Sequence, residues 1–555
     1  MFTQKKTKLF SVVETTKASD NSFIKAGLRQ SAKTLSGNGA AKFSTTGNDF
    51  VDQFGKLGSY KAPRPFMDIA KDMSTLWAQN AFLTVCFALF IRMITRTISF
   101  FDGSKTDSVQ RGAGLRHEGI MRMMWLAVNK QTVFWKNINL FISVGSWKDI
   151  IQMLSYDLQY NGWDARVLDW EKFGNLLLAG LENPNTSELI KKYLPQIKSN
   201  KLCTTLESQA DNIIAKWICS LLFGNKTSSA SYKKYRLLKS RGTAHQWQQL
   251  ISQGKHNLVD FNTVHGRALA KIVSSKYLAN QGLEKKYQEW IATKPIAKFT
   301  GFVHELFEKL PQKQYQIDTL NSQFKGLVET AKKNANGSTS MIVVRDTSGS
   351  MGCTATGTKM SCYNIAKALA LFFSDMLPDG AFANSWIEFN STAKMHKWKG
   401  STAYEKWVND YSRYLGSTNF QSVIELLCSI KKQGVSESDF PTGIICISDS
   451  EFNPTELGKT NVEKALSTLS IAGFSKEYVS NFKIILWNLQ SRAYGGAGNK
   501  FETYGNVPNV YYFSGFDGSI IAFLTGVEGK TTTPSTAEEL FLAAMDQTVL
   551  KMVEV

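Results

Sequence analysis

Met341-Ile-Val-Val-Arg-Asp-Thr-Ser-Gly-Ser-Met-Gly352 decides how the C-terminal part of the chain is read. Its apolar run, Met341 to Val344, is short and continuous, as expected of a strand buried on both faces. The run ends at Asp346, followed by Ser348 and Ser350 on a glycine-containing turn. A carboxylate at a strand end with hydroxyls at the second and fourth positions after it offers three oxygens to one point. Such a set suits a hard cation, because Mg2+ takes oxygen ligands and keeps several waters. Asp346 and Ser348 would also serve as caps for a following helix.

Two later stretches bear on that choice. Gly416-Ser-Thr-Asn419 precedes a helical pattern with Phe420, Val423, Ile424 and Leu427 on one face, which puts Thr418 on a loop at a helix start. Gly443-Ile-Ile-Cys-Ile-Ser-Asp449 is a second apolar run ending in a carboxylate. With its Asp-x-Ser-x-Ser, Thr and Asp loops in this order, the C-terminal part resembles the von Willebrand A fold and its metal-ion-dependent adhesion site. The resemblance implies a doubly wound α/β sheet holding Mg2+ or another divalent cation. It carries over Asp346, Ser348 and Ser350 as first-loop ligands, with Thr418 and Asp449 from the second and third loops. Such a site leaves a coordination position for an acidic residue of a protein partner.

The rest of the chain differs in kind. A length of 555 residues requires more than one core, and 43% apolar with 20% charged residues describes a globular chain. Net charge is lopsided: residues 1–340 carry 47 Lys/Arg against 25 Asp/Glu, and residues 341–555 carry 18 against 21. The excess positive charge is all in the first part, which suggests a polyanion partner, most often nucleic acid. Seven scattered cysteines without a C-x-x-C pair read as thiols of a reducing cytoplasm, and six unpaired histidines give zinc no support. No apolar run is long enough to span a membrane; Ala81 to Ile91 reads as a buried helix. The apolar run Leu9 to Val13 is too short for a signal peptide, so a cytoplasmic location away from membranes is expected.

In chain order, residues 1–60 read as a flexible basic arm rich in Ser, Thr, Gly, Asn and Lys, or as a docking peptide. Residues 65–330 read as successive helices with short polar breaks, an all-α domain of HEAT-like or α-solenoid kind. Residues 331–340 form a polar linker, 341–530 the α/β domain, and 531–555 a C-terminal helix packing back on the body. The densest basic cluster is Lys233-Lys-Tyr-Arg-Leu-Leu-Lys-Ser-Arg241, interleaved with Tyr232 and Tyr235. Lys233, Lys234, Arg236, Lys239 and Arg241, with Arg267 and Lys271, are the candidate phosphate contacts, and exposed tyrosines would stack on unpaired bases. The competing reading is a solvated basic helix face whose aromatics point into the core.

Lys216-Trp-Ile-Cys-Ser220, Tyr235-Arg236 and Val264-His-Gly-Arg-Ala-Leu-Ala270, placed ahead of the α/β part, make the layout similar to the TROVE-type, Ro-like RNA-binding family. That resemblance implies a helical ring binding small structured or misfolded RNA as a ribonucleoprotein component. None of that family's RNA contacts carries over residue by residue. Catalysis is not expected: both aspartates are engaged at the cation, no adjacent His or Lys offers a base, and no phosphate-cradling G-x-x-x-x-G-K-[ST] loop occurs. The expectation is an RNA-binding scaffold with a divalent-cation site. The alternative is a metal-dependent protein-binding or assembly module with no nucleic-acid ligand.

Overall fold

In the computed structural model, the described residues are 33–35, 40–43, 45–61, 63–224, 228–240, 246–293, 297, 299, 301–333, 341–355, 358–376, 382, 384–450, 452–456, 459–490, 507–516 and 536–555. Contacts divide the chain into two compact units. One holds Pro63–Val259 and Met545–Val555. The other holds, of the described residues, those within 33–61 and 260–544.

The first unit is helical. It contains α1 (Phe66–Gln79), α2 (Ala81–Arg92), α3 (Arg116–Asn129), α4 (Gln131–Val144), α5 (Trp147–Asn161), α6 (Trp170–Glu182), α7 (Ser187–Tyr193), α8 (Leu206–Phe223), α9 (Ser229–Ser240) and α10 (Gln246–Ser252). The long apolar stretch from Ile69 is cut at Asn80, whose side chain accepts from the Leu83 amide at 2.9 Å and starts α2. Helix α2 is buried almost all round, as a core helix must be, and no helix among the described residues is long and apolar enough to cross a membrane.

A buried ion pair pins this unit. Asp149 caps α5 by accepting from the Ser146 amide at 2.9 Å, and the same carboxylate takes Arg92 Nε at 2.7 Å. Both side chains are essentially inaccessible. Burial pulls the Arg92 guanidinium below its usual range and Asp149 pulls it back, so the pair stands or falls together.

The second unit is a mixed sheet with helices on both faces. Its strands are β1 (Met341–Asp346), β2 (Ser385–Phe389), β3 (Ala393–Lys397), β4 (Gly443–Ser448), β5 (Lys483–Asn488) and β6 (Val510–Ser514). They lie in the order β3-β2-β1-β4-β5-β6, parallel except for the antiparallel edge strand β3. All six residues of β1 and of β4 are buried, which is why each carries a continuous apolar run, Met341 to Val344 and Ile444 to Ile447. Ile342, Val344, Ile444, Cys446, Ile484 and Leu486 share one core with Val423, Ile424 and Leu427 of α17 (Gln421–Lys432) and Val462, Ala465 and Leu469 of α18 (Asn461–Ile471). Helix α15 (Cys362–Met376) also packs on β1, and α14 (Gln314–Lys333) and α16 (Ala403–Val408) pack on α15.

Two boundaries differ from the expectation. Helices α11 (Gly266–Ser274), α12 (Tyr277–Asn280), α13 (Glu284–Ala292) and α14 belong to the same unit as the sheet, so the division falls at Val259 rather than at 331–340. Of that linker, 334–340 lie outside the described residues. The arm is also shorter than expected. Residues 1–32 lie outside the described residues, but a small hairpin, Lys33–Leu35 with Ala41–Phe43, and a helix, Asp49–Gly55, follow. Asn48 caps that helix, and Phe50, Val51 and Phe54 are buried, Phe54 edge-on to Phe513 and Phe541. Three apolar residues on one short helix outweighed the polar composition around them. The segment continues along β6: Gly58 donates to Ser514 Oγ at 2.9 Å, and Ser514 Oγ donates to Gly55 O at 2.6 Å. A side chain at Gly58 would stand 2.2 Å from the Gly515 nitrogen, so this approach requires glycine.

Candidate metal centre

The strand order reverses between β1 and β4, and both strands end in a carboxylate there: Asp346 on β1, and Asp449 just after β4. The crevice outside the carboxyl ends of strands at such a switch point is where open α/β sheets bind ligands. Asp346 is fully buried and Asp449 is 4% exposed. Asp346 Oδ1 accepts from the Ser348 amide at 2.8 Å, and Ser348 Oγ lies 3.1 Å from Ser350 Oγ. The second loop is brought in by backbone: Gly349 donates to Gly416 O at 3.1 Å and Leu415 to Thr347 O at 2.8 Å. Asn453 fixes Thr418 from both sides, accepting from its amide at 3.3 Å and donating its own to Thr418 O at 2.9 Å. Asp346, Ser348, Ser350, Thr418 and Asp449 therefore sit on three neighbouring loops.

Two serines escaped the sequence reading. Ser448 Oγ donates to Asp346 Oδ2 and accepts from the Ser450 amide at 2.9 Å, so it bridges the two strand ends. Ser450 holds a left-handed backbone with φ of 61°. Its hydroxyl is buried and without a hydrogen-bond partner among the described residues. The signal was the Ser-Asp-Ser triplet closing β4, a hydroxyl on either side of the carboxylate.

Two buried carboxylates meet in this site. Burial, and then the neighbouring Asp449 carboxylate, push Asp346 up to about 7, against the opposing hydrogen bonds of Ser448 and Ser348. Arg345, next in sequence, gives its charge elsewhere. It is fully buried between the rings of Trp386 and Tyr363 and bonds Asp410 at 2.6 Å. No cluster of three or more His, Cys, Asp or Glu is found among the described residues, so the donors here are hydroxyls beside two carboxylates. That oxygen-only set fits a hard divalent cation and not a thiophilic one.

The predicted RNA contacts are less concentrated. Lys233, Lys234 and Arg236 are exposed on α9. Lys239 folds back onto the carbonyls of Leu194 and Lys192, and burial lowers its pKa. Tyr235 is buried with its hydroxyl on Pro195 O at 3.0 Å, so it is a core residue and not a stacking platform. Arg241 lies outside the described residues. Arg267 and Lys271 belong to the other compact unit, where Arg267 is held by both oxygens of Glu305 at 2.6 Å. A cleft of about 480 Å3 beside α9 is lined by Lys192, Arg236 and Lys239, with no carboxylate among the described residues that line it.

Among known families, residues 340–548 match one described as Domain of unknown function (DUF7788), a span that begins just before β1 and takes in every candidate cation ligand. A search of curated proteins finds no match.

Proposed function

We propose that the α/β unit contains a von Willebrand A-type module whose divalent-cation site docks an acidic group of a protein partner, within a scaffold whose helical unit binds RNA. The observation that carries the cation reading is the meeting of Asp346 and Asp449 at the switch point of a mainly parallel sheet, both buried, with Asp346 raised first by burial and then by its neighbour. Asp346, Asp449, Ser348, Ser350 and Thr418 would hold the ion, which when bound supplies a positive centre for an incoming carboxylate. The loop leading into Thr418 favours a protein on the other side: Tyr411, Tyr414 and Leu415 are 79%, 53% and 58% exposed. Tyrosine is among the residues enriched at the cores of protein interfaces, and two of them stand exposed beside the charged centre. Thermal unfolding with Mg2+ and with chelator tests the reading. Wild type should gain stability with Mg2+ and Asp346→Ala should not; equal gains in both would sink the cation site.

The RNA reading rests on one observation, the cleft that gathers Lys192, Arg236 and Lys239 beside the exposed cations of α9, with no carboxylate among its described lining residues. Phosphate contacts of this kind weaken steeply with salt. Protein purified at low salt should carry RNase-sensitive material that leaves as salt rises. Protein that is clean and ignores added structured RNA would leave the partner-binding module alone.

A further inference from the structure

Outside the carboxylate site, the structure brings together two thiols that the sequence keeps apart. Cys353 and Cys362 are nine residues apart, and their sulfurs stand 3.7 Å from each other. The backbone sets this approach. Thr354 and Ser361 form an antiparallel bridge, and the Cys362 amide donates to Cys353 O at 2.9 Å. Cys353 and Cys362 are thus directly opposed on paired chains. Such pairs have Cα atoms about 5.5 Å apart, inside the range a disulfide spans. Bond formation then has to close the sulfurs from 3.7 Å to about 2.0 Å.

The two thiols differ in access. Cys362 opens α15 and is fully buried, whereas Cys353 is half-exposed and receives the Gln490 side-chain amide at 3.6 Å. One can meet a solvent-borne oxidant and the other can resolve the product. The remaining cysteines, Cys86, Cys203, Cys219, Cys428 and Cys446, are buried.

We propose that Cys353 and Cys362 are a reversible dithiol–disulfide site, oxidised by hydroperoxides, that ties the turn Gly349–Gly352 to the start of α15. In the first step the Cys353 sulfur attacks the terminal peroxide oxygen. The O–O bond breaks, a sulfenic acid forms, and the alcohol, or water from hydrogen peroxide, leaves with the thiol proton. In the second, the Cys362 sulfur attacks the Cys353 sulfur. The S–S bond forms, the S–O bond breaks, and hydroxide departs as water with the Cys362 proton. Two electrons pass from the two thiols to one hydroperoxide, and a dithiol reductant reverses the change. The inference stands on the two thiols alone and would survive failure of the cation reading.

The turn that would be tied carries Ser350, whose carbonyl accepts from the Cys353 amide at 3.1 Å. Oxidation therefore fixes the far end of the Asp-x-Ser-x-Ser loop to a helix buried against β1.

Peptide mapping of the full-length wild-type protein tests this. Reduced protein is treated with graded hydrogen peroxide, blocked with an alkylating agent and digested without reductant. A cross-linked peptide pair joining Cys353 to Cys362 should be the first oxidation product and should vanish with dithiothreitol. In Cys362→Ser, Cys353 should stop as a sulfenic acid trapped by dimedone. Recovery of both cysteines alkylated while others oxidise, pairing of either with a third cysteine, or direct passage of wild-type Cys353 to sulfinic acid would each overturn the proposal.

Discussion

Arg345 Nη1 donates to Asp410 Oδ2 at 2.6 Å, which ties the residue before the first candidate ligand to the loop that delivers the fourth. The guanidinium also bonds Tyr363 and Ser412 and is stacked between two rings, so it is consumed by positioning. Its charge is therefore directed at Asp410 and away from Asp346.

Asp410 gives the arrangement a pH signature. Burial alone would raise it, but Arg345 and Lys367 hold it down at about 2. An unfolded aspartate titrates near 3.9, so the folded value is depressed. Its contribution is then complete above about pH 4 and lost as pH falls towards about 2, and amounts to roughly 2 kcal/mol. Urea midpoints taken down through that window should fall less steeply for Asp410→Asn than for wild type, from a lower starting stability at neutral pH.

The two carboxylates at the strand ends predict a change of sign. In chelator, Asp449→Asn removes the charge that disfavours ionised Asp346, so it should be neutral or stabilising. With Mg2+ it should be the less stable protein, because wild type alone gains; saturation at a hundred times the dissociation constant adds about 2.7 kcal/mol. Paired melting curves with and without the ion read both halves.

Asp149→Ala leaves Arg92 buried and uncompensated and strips the cap from α5. A loss of about 3–5 kcal/mol is expected, as for other buried pairs broken on one side. Replacing both partners with apolar residues should recover much of it, and a denaturation series on the single and double variants decides.

For the RNA reading, Lys233→Ala, Lys234→Ala and Arg236→Ala together should weaken binding of a small structured RNA and flatten the salt dependence by up to about three phosphate contacts. Arg267→Ala should leave the slope unchanged, since that guanidinium is already spent on Glu305. An unaltered slope in the triple variant would move the interface off α9.

The α/β part was legible because its signals are local. A strand buried on both faces writes an unbroken apolar run, and Asp346 and Asp449 stand where those runs stop. Ser448 and Ser450 were not legible as site residues, since their roles depend on the approach of β4 to β1 across about a hundred positions of chain. Tyr235 was ambiguous for the same reason: basic neighbours suggested an exposed face, and only the packing of α9 against α7 and α8 sends its ring inward. The side taken by 260–333 had no local signal, because an amphipathic helix does not record which surface it covers.

The lean of residues 50–58 on β6 bears on how this chain could be cut. At the opposite margin, β3 presents Lys394 and Lys397 on exposed positions, and charge there discourages strand addition. The β6 margin has no such guard of its own: Val510, Tyr511, Phe513 and Ser514 are buried, Phe513 beneath Phe54. A fragment starting at the family boundary near residue 340 would lose the cover that residues 50–58 give that margin. It should self-associate through β6, whereas supplying residues 45–61, in cis or as a separate peptide, should keep it monomeric.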